Sequence, residues 1–519
     1  MRKFEWLGLF TVVFVVLVPS FQNCGSDFQA TESSQTQIAS NNETSGNSEN
    51  DSQNEPDSSE NPVPQPSPVV TDACSMPGVP ITEDEVDESF VWRPTLDSQG
   101  VVRCGSIEKL PLLKWVGLHS SYASGQQIED VHSEAGWEWS RNVIGNSKRG
   151  YAHISAPTFS GAALDLGHDQ IFMPWVGGHH GSSYNAAFGF HIPTLKFFVA
   201  GIPDTGAASS VNKWNPDYRN NFSTYPNDPQ NGYPAPRGRP DAILPGNFPT
   251  SMHHYNGLWV DPNRRTVNQF REMHWEMTLP DSANPGQFKY HDWIQNGEIR
   301  DTSIYNQLFW NEYLGESGMV VGLVTRFPND VSGALINIDP SIQPDVGPWE
   351  FKEIDSKLGL NISAGIQSVR VDRNKGSYLY FFANVGNDDY GDSYAVYDMK
   401  LNKVIKKSTA VIHPMYYKHG TGTVEAHNNS PAVYIPELDR VLRRFTKYHP
   451  DPKSNWAMFN PETGGNEVYV PEGNVPARDF YMGRRYFYYP KWKSVIAVSG
   501  DYNNPSNSAT CVWVLRTGS

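Results

Sequence analysis

Cysteine is scarce in this chain: 519 residues hold 4, and none lies between positions 105 and 510. Cys24 sits in the N-terminal leader, so Cys74, Cys104 and Cys511 allow one bridge and one leftover thiol. The pair is either Cys74–Cys104 or Cys104–Cys511, the latter joining the two ends of the folded part. Positive charge is scarce too. Residues 25–72 hold nine acidic residues and no Lys or Arg. Of the net charge of −15, that segment carries −9 and residues 1–24 carry +1, leaving −7 for 73–519. Such a balance excludes nucleic acid as a general partner, because phosphate binding needs a basic surface. Beyond the N-terminus no long stretch has a 3.6-residue apolar period, which excludes a helical fold. G-x-S-x-G, Walker, Rossmann, HExxH and EF-hand patterns are all missing.

What is plentiful is aromatic and turn-forming. The chain has 15 Trp, 25 Tyr and 25 Phe, with 43 Gly and 39 Pro. Aromatic runs broken by Gly, Pro, Asn and Asp describe an all-β protein. The N-terminus, "MRKFEWLGLFTVVFVVLVPSFQNCG", has a basic start at Arg2 and Lys3 and an apolar core from Trp6 to Val18. It reads as an export signal. Its end at Cys24 resembles a bacterial lipoprotein signal, although Phe21-Gln22-Asn23 replace the usual small residues. The resemblance implies lipidation at Cys24, and Gly25 after it implies the outer membrane. Residues 25–72 are Ser, Asn, Gln, Glu, Thr and Pro with almost no large apolar side chain, so they read as a disordered tether. A flexible chain of 48 residues has an r.m.s. reach of roughly 40 Å. The expected organisation is a signal at 1–24, a tether at 25–72, a lead-in at 73–104 and one folded domain at 105–519.

Within that domain one weak pattern recurs: an apolar strand, a turn with Asp or Pro, and a second apolar strand. It appears at 159–178, 255–270, 368–386, 431–445 and 485–500, with a degenerate copy in 305–340. The turns fall near Asp165, Asp261, Asp372, Pro436 and Pro490. Third strands follow in "AAFGFHIPTLKFF", "SYAVYDMKLNKVI" and "WAMFNPETGGNEV". One such sheet cannot stand alone, but a ring of them can. Gly161, Gly177-Gly178, Asn185, the Pro193–Leu195 turn, Tyr255-Asn256-Gly257 and the closing run at 483–515 resemble a kelch-like propeller of the galactose-oxidase central-domain type. The resemblance implies a β-propeller of six or seven four-stranded blades. The final strand "ATCVWVLRT" and the early strand "LPLLKWVGL" are expected to share one composite blade, and a Cys104–Cys511 bridge would lock it.

Propeller topology sends the loops before innermost strands and after second strands to one face. Polar clusters fall on those loops. His179, His180, His254, Tyr255, His427 and Arg485 supply the residue types of acid–base and charge-stabilising chemistry. His253, Asn428, Arg484, Asp388 and Asp389 are candidate ligand-binding groups. Each cluster has a plainer reading as a strand-end hydrogen bond, an ion pair or a solvated turn. Trp175, Trp259 and Trp293 read as blade-packing residues rather than sugar platforms. The missing cysteine between 105 and 510 argues against the Cys–Tyr radical chemistry of galactose oxidase. No metal or cofactor follows from the residues. The leading expectation is a membrane-tethered propeller that binds a carbohydrate or protein ligand at its central face. A polysaccharide lyase using the same face is the alternative, and an envelope scaffold is a third reading.

Overall fold

The computed structural model describes residues 86–119, 161–173, 187–201, 256–270, 274–279, 288–291, 307–326, 330–338, 351–355, 366–384, 392–410, 431–444, 456–476, 485–500 and 510–519. It also describes short pieces at 122, 243–244, 248–249, 358, 360 and 453. The export signal, Cys24, the acidic segment and Cys74 lie outside the described residues.

The described chain opens with β1 (Val91–Trp92), α1 (Cys104–Glu108) and β2 (Lys114–Leu118). Blade one follows as β3 (Ala163–Asp165), β4 (Gln170–Met173), β5 (Ala187–His191) and β6 (Lys196–Gly201). A two-stranded pair, β7 (Ile243–Leu244) and β8 (Phe248–Pro249), comes next. Blade two is β9 (Leu258–Asp261), β10 (Thr266–Phe270), β11 (His274–Thr278) and β12 (Phe288–His291). Blade three is β13 (Gln307–Asn311), β14 (Met319–Arg326), β15 (Asp330–Ile338) and β16 (Phe351–Asp355). Blade four is β17 (Gln367–Arg373), β18 (Gly376–Asn384), β19 (Asp392–Asp398) and β20 (Lys403–Ala410). Blade five is β21 (Ala432–Ile435), β22 (Arg440–Arg444), β23 (Trp456–Asn460) and β24 (Gly465–Val468). After β25 (Glu472–Gly473) come β26 (Tyr486–Tyr489), β27 (Ser494–Gly500) and β28 (Thr510–Arg516).

Blade six is composite. Its first three strands are β26, β27 and β28, and its fourth is β2 from the other end of the chain. Trp115 pairs Leu515, Val116 pairs Val514 and Gly117 pairs Trp513 in antiparallel register. Strand β1 adds to β2 in parallel on the outer edge. The fold is therefore an all-β propeller of six four-stranded blades, the lower of the two counts that the length allowed.

Successive first strands lie side by side: β3 beside β9, β9 beside β13, β17 beside β21 and β21 beside β26. Alternation then buries both faces of each blade, because each face meets a neighbouring blade. Val441 packs toward blade four, in a cluster with Phe382, Tyr394 and Phe459, while Leu442 joins Trp115, Trp456 and Trp513 on the blade-six side. Aromatic rings fill these seams: the Phe382 and Phe459 centroids are 4.9 Å apart and nearly perpendicular, a favourable edge-to-face contact. Trp259 is buried, as expected of a packing residue, while Trp175 and Trp293 lie outside the described residues.

The lead-in packs against the seam between blades six and one. Trp92, Val102, Ile107 and Leu110 share a core with Ile171, Met173, Val512 and Val514. The Arg516 guanidinium donates to the carbonyls of Glu108 and, at 3.1 Å, Leu110. The amide of Val102 donates to the Pro193 carbonyl. Cys104, at the start of α1, is disulfide-bonded. The side chains of Cys74 and Cys511 lie outside those described, and position 511 pairs with Ser499 in the backbone ladder.

Candidate functional site

Strands in each blade alternate direction. The turns joining first to second and third to fourth strands therefore share one end, and the remaining connections share the other. The turn end is mostly closed by short, self-capped loops. The Asp165 carboxylate accepts from the Gly167 amide at 2.9 Å, and Asp261 accepts from the amides of Asn263 and Arg264 at 2.9 and 3.0 Å. Asp398 caps Lys400 and Leu401 in the same way, as Asn460 caps Glu462. Such Asx turns fold the chain back on itself and use up the side-chain oxygen. Blades five and six turn instead through Pro436–Leu438 and Pro490–Trp492, each ending in a left-handed residue, Asp439 and Lys493. Burial raises the Asp261 carboxyl above its ordinary range, partly opposed by these amides.

The other end carries the long connections. His179 and His180 belong to the stretch 174–186 after β4. His253, His254 and Tyr255 lie shortly before β9. Asp388 and Asp389 follow β18, His427 and Asn428 precede β21, and Arg484 precedes β26. All ten lie outside the described residues.

Arg485 is described, and it is not a loop side chain open to solvent. It is completely buried at the mouth of β26, with Nη1 3.5 Å from the Met173 sulfur of blade one. It belongs to a polar belt that crosses from blade to blade at this end. Between blades two and three, Asn256 Nδ2 donates to Gln307 Oε1 at 2.6 Å, and the Leu308 amide donates to the Asn256 carbonyl at 3.1 Å. Between blades three and four, the Ser368 hydroxyl donates to the same Gln307 oxygen. Between four and five, Arg443 Nε donates to Gln367 Oε1 at 2.8 Å, while Gln367 Nε2 donates to the Arg444 carbonyl at 2.7 Å. Between five and six, Arg444 Nη1 donates to the Tyr486 hydroxyl at 2.9 Å. Asn256, Gln307, Gln367, Ser368, Arg443 and Arg444 are all buried.

Burying guanidinium groups is costly, and stacking offsets part of that cost. Arg443 lies 3.9 Å from the Phe382 ring centroid and Arg444 lies 4.8 Å from that of Trp456. A guanidinium stays charged at any ordinary pH. Three of them therefore give this end of blades five and six a positive character within a chain of net charge −15. The belt offers fixed hydrogen-bond donors, amide groups and one phenol. Among the described residues no three His, Cys, Asp or Glu side chains form a metal site.

The belt went largely unseen in the sequence. A signal existed: "VLRRF" and "IQSV" each put polar residues at one end of an otherwise apolar strand. Nothing in the spacing shows that these residues meet.

No family model and no curated protein matches the chain. Among solved structures, one likeness is to a Dos1 propeller, at 12% identity and a TM-score of 0.29, covering 52% of this chain and 71% of that one. Another is to a point mutant of the NanB sialidase from Streptococcus pneumoniae, at 14% identity and a TM-score of 0.28, covering 47% of this chain and 36% of that one. A third is to an exo-1,5-alpha-L-arabinanase from a bovine ruminal metagenomic library, at 10% identity and a TM-score of 0.30, covering 60% and 97% respectively. At these scores none of them bears on what this chain does.

Proposed function

We propose that this chain is an exported, lipid-anchored propeller of kelch-like type whose loop-bearing end binds a carbohydrate ligand. The observation that supports it is the buried belt of Arg443, Arg444, Arg485, Gln307 and Gln367 beneath the long connections. These groups are buried and bonded from blade to blade, so they fix the strand ends that carry the loops, and such pre-organisation lowers the ordering cost of binding. A uronate carboxylate and sugar hydroxyls suit the imidazole, amide and guanidinium groups that the loop sequences carry. His179, His180, His253, His254, Tyr255, Asp388, Asp389, His427, Asn428 and Arg484 would add direct contacts from the loops. Cys24 would carry the lipid and residues 25–72 the tether, holding the ring clear of the outer membrane.

Binding of residues 73–519 to an array of neutral and uronic-acid oligosaccharides tests the ligand class. Selective binding of glycans is the expected result. Capture only of a protein ligand, with no glycan bound, would sink the carbohydrate reading. Labelling with radioactive palmitate tests the anchor: label is expected in the whole chain and lost in Cys24→Ser.

A second reading, a polysaccharide lyase, is favoured by one contact. The Arg444 guanidinium donates to the Tyr486 hydroxyl, setting a fixed cation beside a phenol, the residue types that proton abstraction with charge stabilisation uses. Incubation with uronate polysaccharides and absorbance of newly formed double bonds decides it. A flat trace across the panel, with and without divalent metal, leaves binding as the function.

A further inference from the structure

Among the described residues six large apolar side chains are well exposed, and three of them gather at one corner of the ring. Tyr313 sits in the turn between β13 and β14, Leu401 in the turn between β19 and β20, and Ile405 near the start of β20. All three lie at the turn end of blades three and four. Lys400 joins them: its Nζ stands 5.1 Å from the Tyr313 ring centroid and donates to the Lys375 carbonyl at 2.7 Å. Lysines are interleaved with the apolar groups, and Lys375, Lys400, Lys403 and Lys406 are all exposed. The segments 312–318, 370–375 and 398–407 together hold seven Lys or Arg and four Asp or Glu, in a chain of net charge −15. Arg370 is bound by Glu312 and Asp372, and Arg373 by Asp439 of blade five. The Asp398 carboxylate is turned to the amides of Lys400 and Leu401. The lysines are therefore the charge that this corner presents, with Glu316 the one acid of these segments outside those contacts.

Lysine on an edge strand has a plain use: it keeps the strand from pairing with another sheet. That use explains the lysines of β20, the last strand of the blade-four sheet, but not the aliphatic side chains among them. Leu401 is 59% exposed and Ile405 46%. Val396 pairs Lys406 and Tyr397 pairs Val404, so a bulge leaves Ile405 outside the ladder. Bare aliphatic and phenol groups among lysines suit a bilayer surface. There the aliphatic groups enter the acyl boundary, the phenol sits at headgroup level and the ammonium groups meet lipid phosphates. Lysine suits that last contact, being a point charge on a flexible stem rather than a planar fork. We propose that the turn-end corner of blades three and four is a docking surface for an anionic lipid bilayer. Tyr313, Leu401 and Ile405 enter the interface, and Lys375, Lys400, Lys403 and Lys406 surround them. This surface depends neither on a lipid at Cys24 nor on the carbohydrate reading. Contact there fixes which edge of the ring faces the membrane.

An environment-sensitive fluorophore on Leu401→Cys of the full chain reads the contact. The same probe on Leu166→Cys, an exposed turn residue of blade one, is the control. Vesicles of phosphatidylcholine alone are compared with vesicles of equal parts phosphatidylcholine and phosphatidylglycerol. The expected result is a blue shift of the Leu401 probe, with quenching by a lipid-borne nitroxide, on the anionic vesicles only. The Leu166 probe should stay as it is in solution. At about 1 M salt, where the Debye length is about 3 Å, the shift should be lost. Lys375→Glu combined with Lys403→Glu should abolish it while the unfolding midpoint stays at the parent's. No shift, an equal shift on neutral vesicles, an equal shift of the Leu166 probe, or a shift that survives both charge reversals overturns the proposal. A Leu401 probe that responds to soluble polyglutamate and not to vesicles assigns the corner to an acidic polymer and also overturns it.

Discussion

Removing β2 should unfold the ring. A chain beginning at residue 120 loses the fourth strand of blade six, whereas one beginning at residue 73 keeps it. Trp115 is fully buried, and Val116 and Leu118 are 1% exposed. A buried tryptophan removes about 200 Å² from water, or about 5 kcal/mol at 25 cal/mol per Å². Val116 and Leu118 add about 1.5–3 kcal/mol each. The sum, about 8–11 kcal/mol, is an upper estimate because unfolded chains already bury some surface. It still matches the whole stability of an ordinary domain, about 5–15 kcal/mol. The truncation also bares β28, whose Trp513 and Leu515 are fully buried, as an unpaired apolar edge. The assay is urea unfolding followed by tryptophan fluorescence and circular dichroism. The 73–519 chain should unfold in one cooperative step. The 120–519 chain should lack that step and bind a hydrophobic dye before any urea is added. A peptide of residues 111–119 supplied in trans should restore part of the transition. If the 120–519 chain unfolds cooperatively at the same urea concentration, the seam does not hold the ring and the reasoning fails.

Gly473 has φ +82°, and a Cβ there would meet the Trp115 carbonyl oxygen at 2.3 Å, so Gly473→Ala should lower stability by about 1–3 kcal/mol or more. Gly100→Ala, at φ +79° but with open space around it, should lose only the smaller backbone penalty, about 1–2 kcal/mol; equal losses in urea titrations would contradict this. His191 lies 2.7 Å from the Thr194 hydroxyl, near Asp169 and Lys491, and burial holds its imidazole below the ordinary 6.5. The unfolded chain therefore takes up a proton first. The His191 contribution is complete above pH 6.5 and is lost as pH falls toward the folded value. His191→Gln should flatten that part of a stability profile taken between about pH 7.5 and 5, and an unchanged slope would count against the assignment. Peptide mapping without reduction should find Cys104 bonded to Cys74. Both ends of α1 are fastened near the turn end, while position 511 stands five residues, about 17 Å, back along β28 from Arg516. Recovery of a Cys104–Cys511 peptide would overturn this.

Strands and hairpins were legible because a blade repeats its local chemistry. In "PAVYIPELDRVLRRF" the apolar run, the Pro-started turn and the return strand are adjacent in sequence, and β21 and β22 follow them. The composite blade was legible for a similar reason: two apolar strands at opposite ends of the chain each lacked a sheet. The polar belt was not legible. Ser368 meets Gln307 across 61 residues and Arg443 meets Gln367 across 76. A period-2 pattern reports which face a residue takes within its own blade, not which residue of the next blade it will touch. Arg485 shows the same limit. Its position beside a strand start was readable, but not its complete burial or its contact with Met173, 312 residues away.

The seam of blade six also determines where the ring would be pulled. Any force on the chain before residue 86 enters through β1 and α1 and reaches β2, whose ladder to β28 lies along the strand axis. Loaded that way, the ladder bonds resist in shear together rather than opening one by one from an end. If the disulfide of Cys104 takes its partner from upstream, the pull passes straight to α1, and the stretch between the two cysteines carries none of it. A protein held at its N-terminus against flow would then be gripped at the place where its two chain ends already clasp each other.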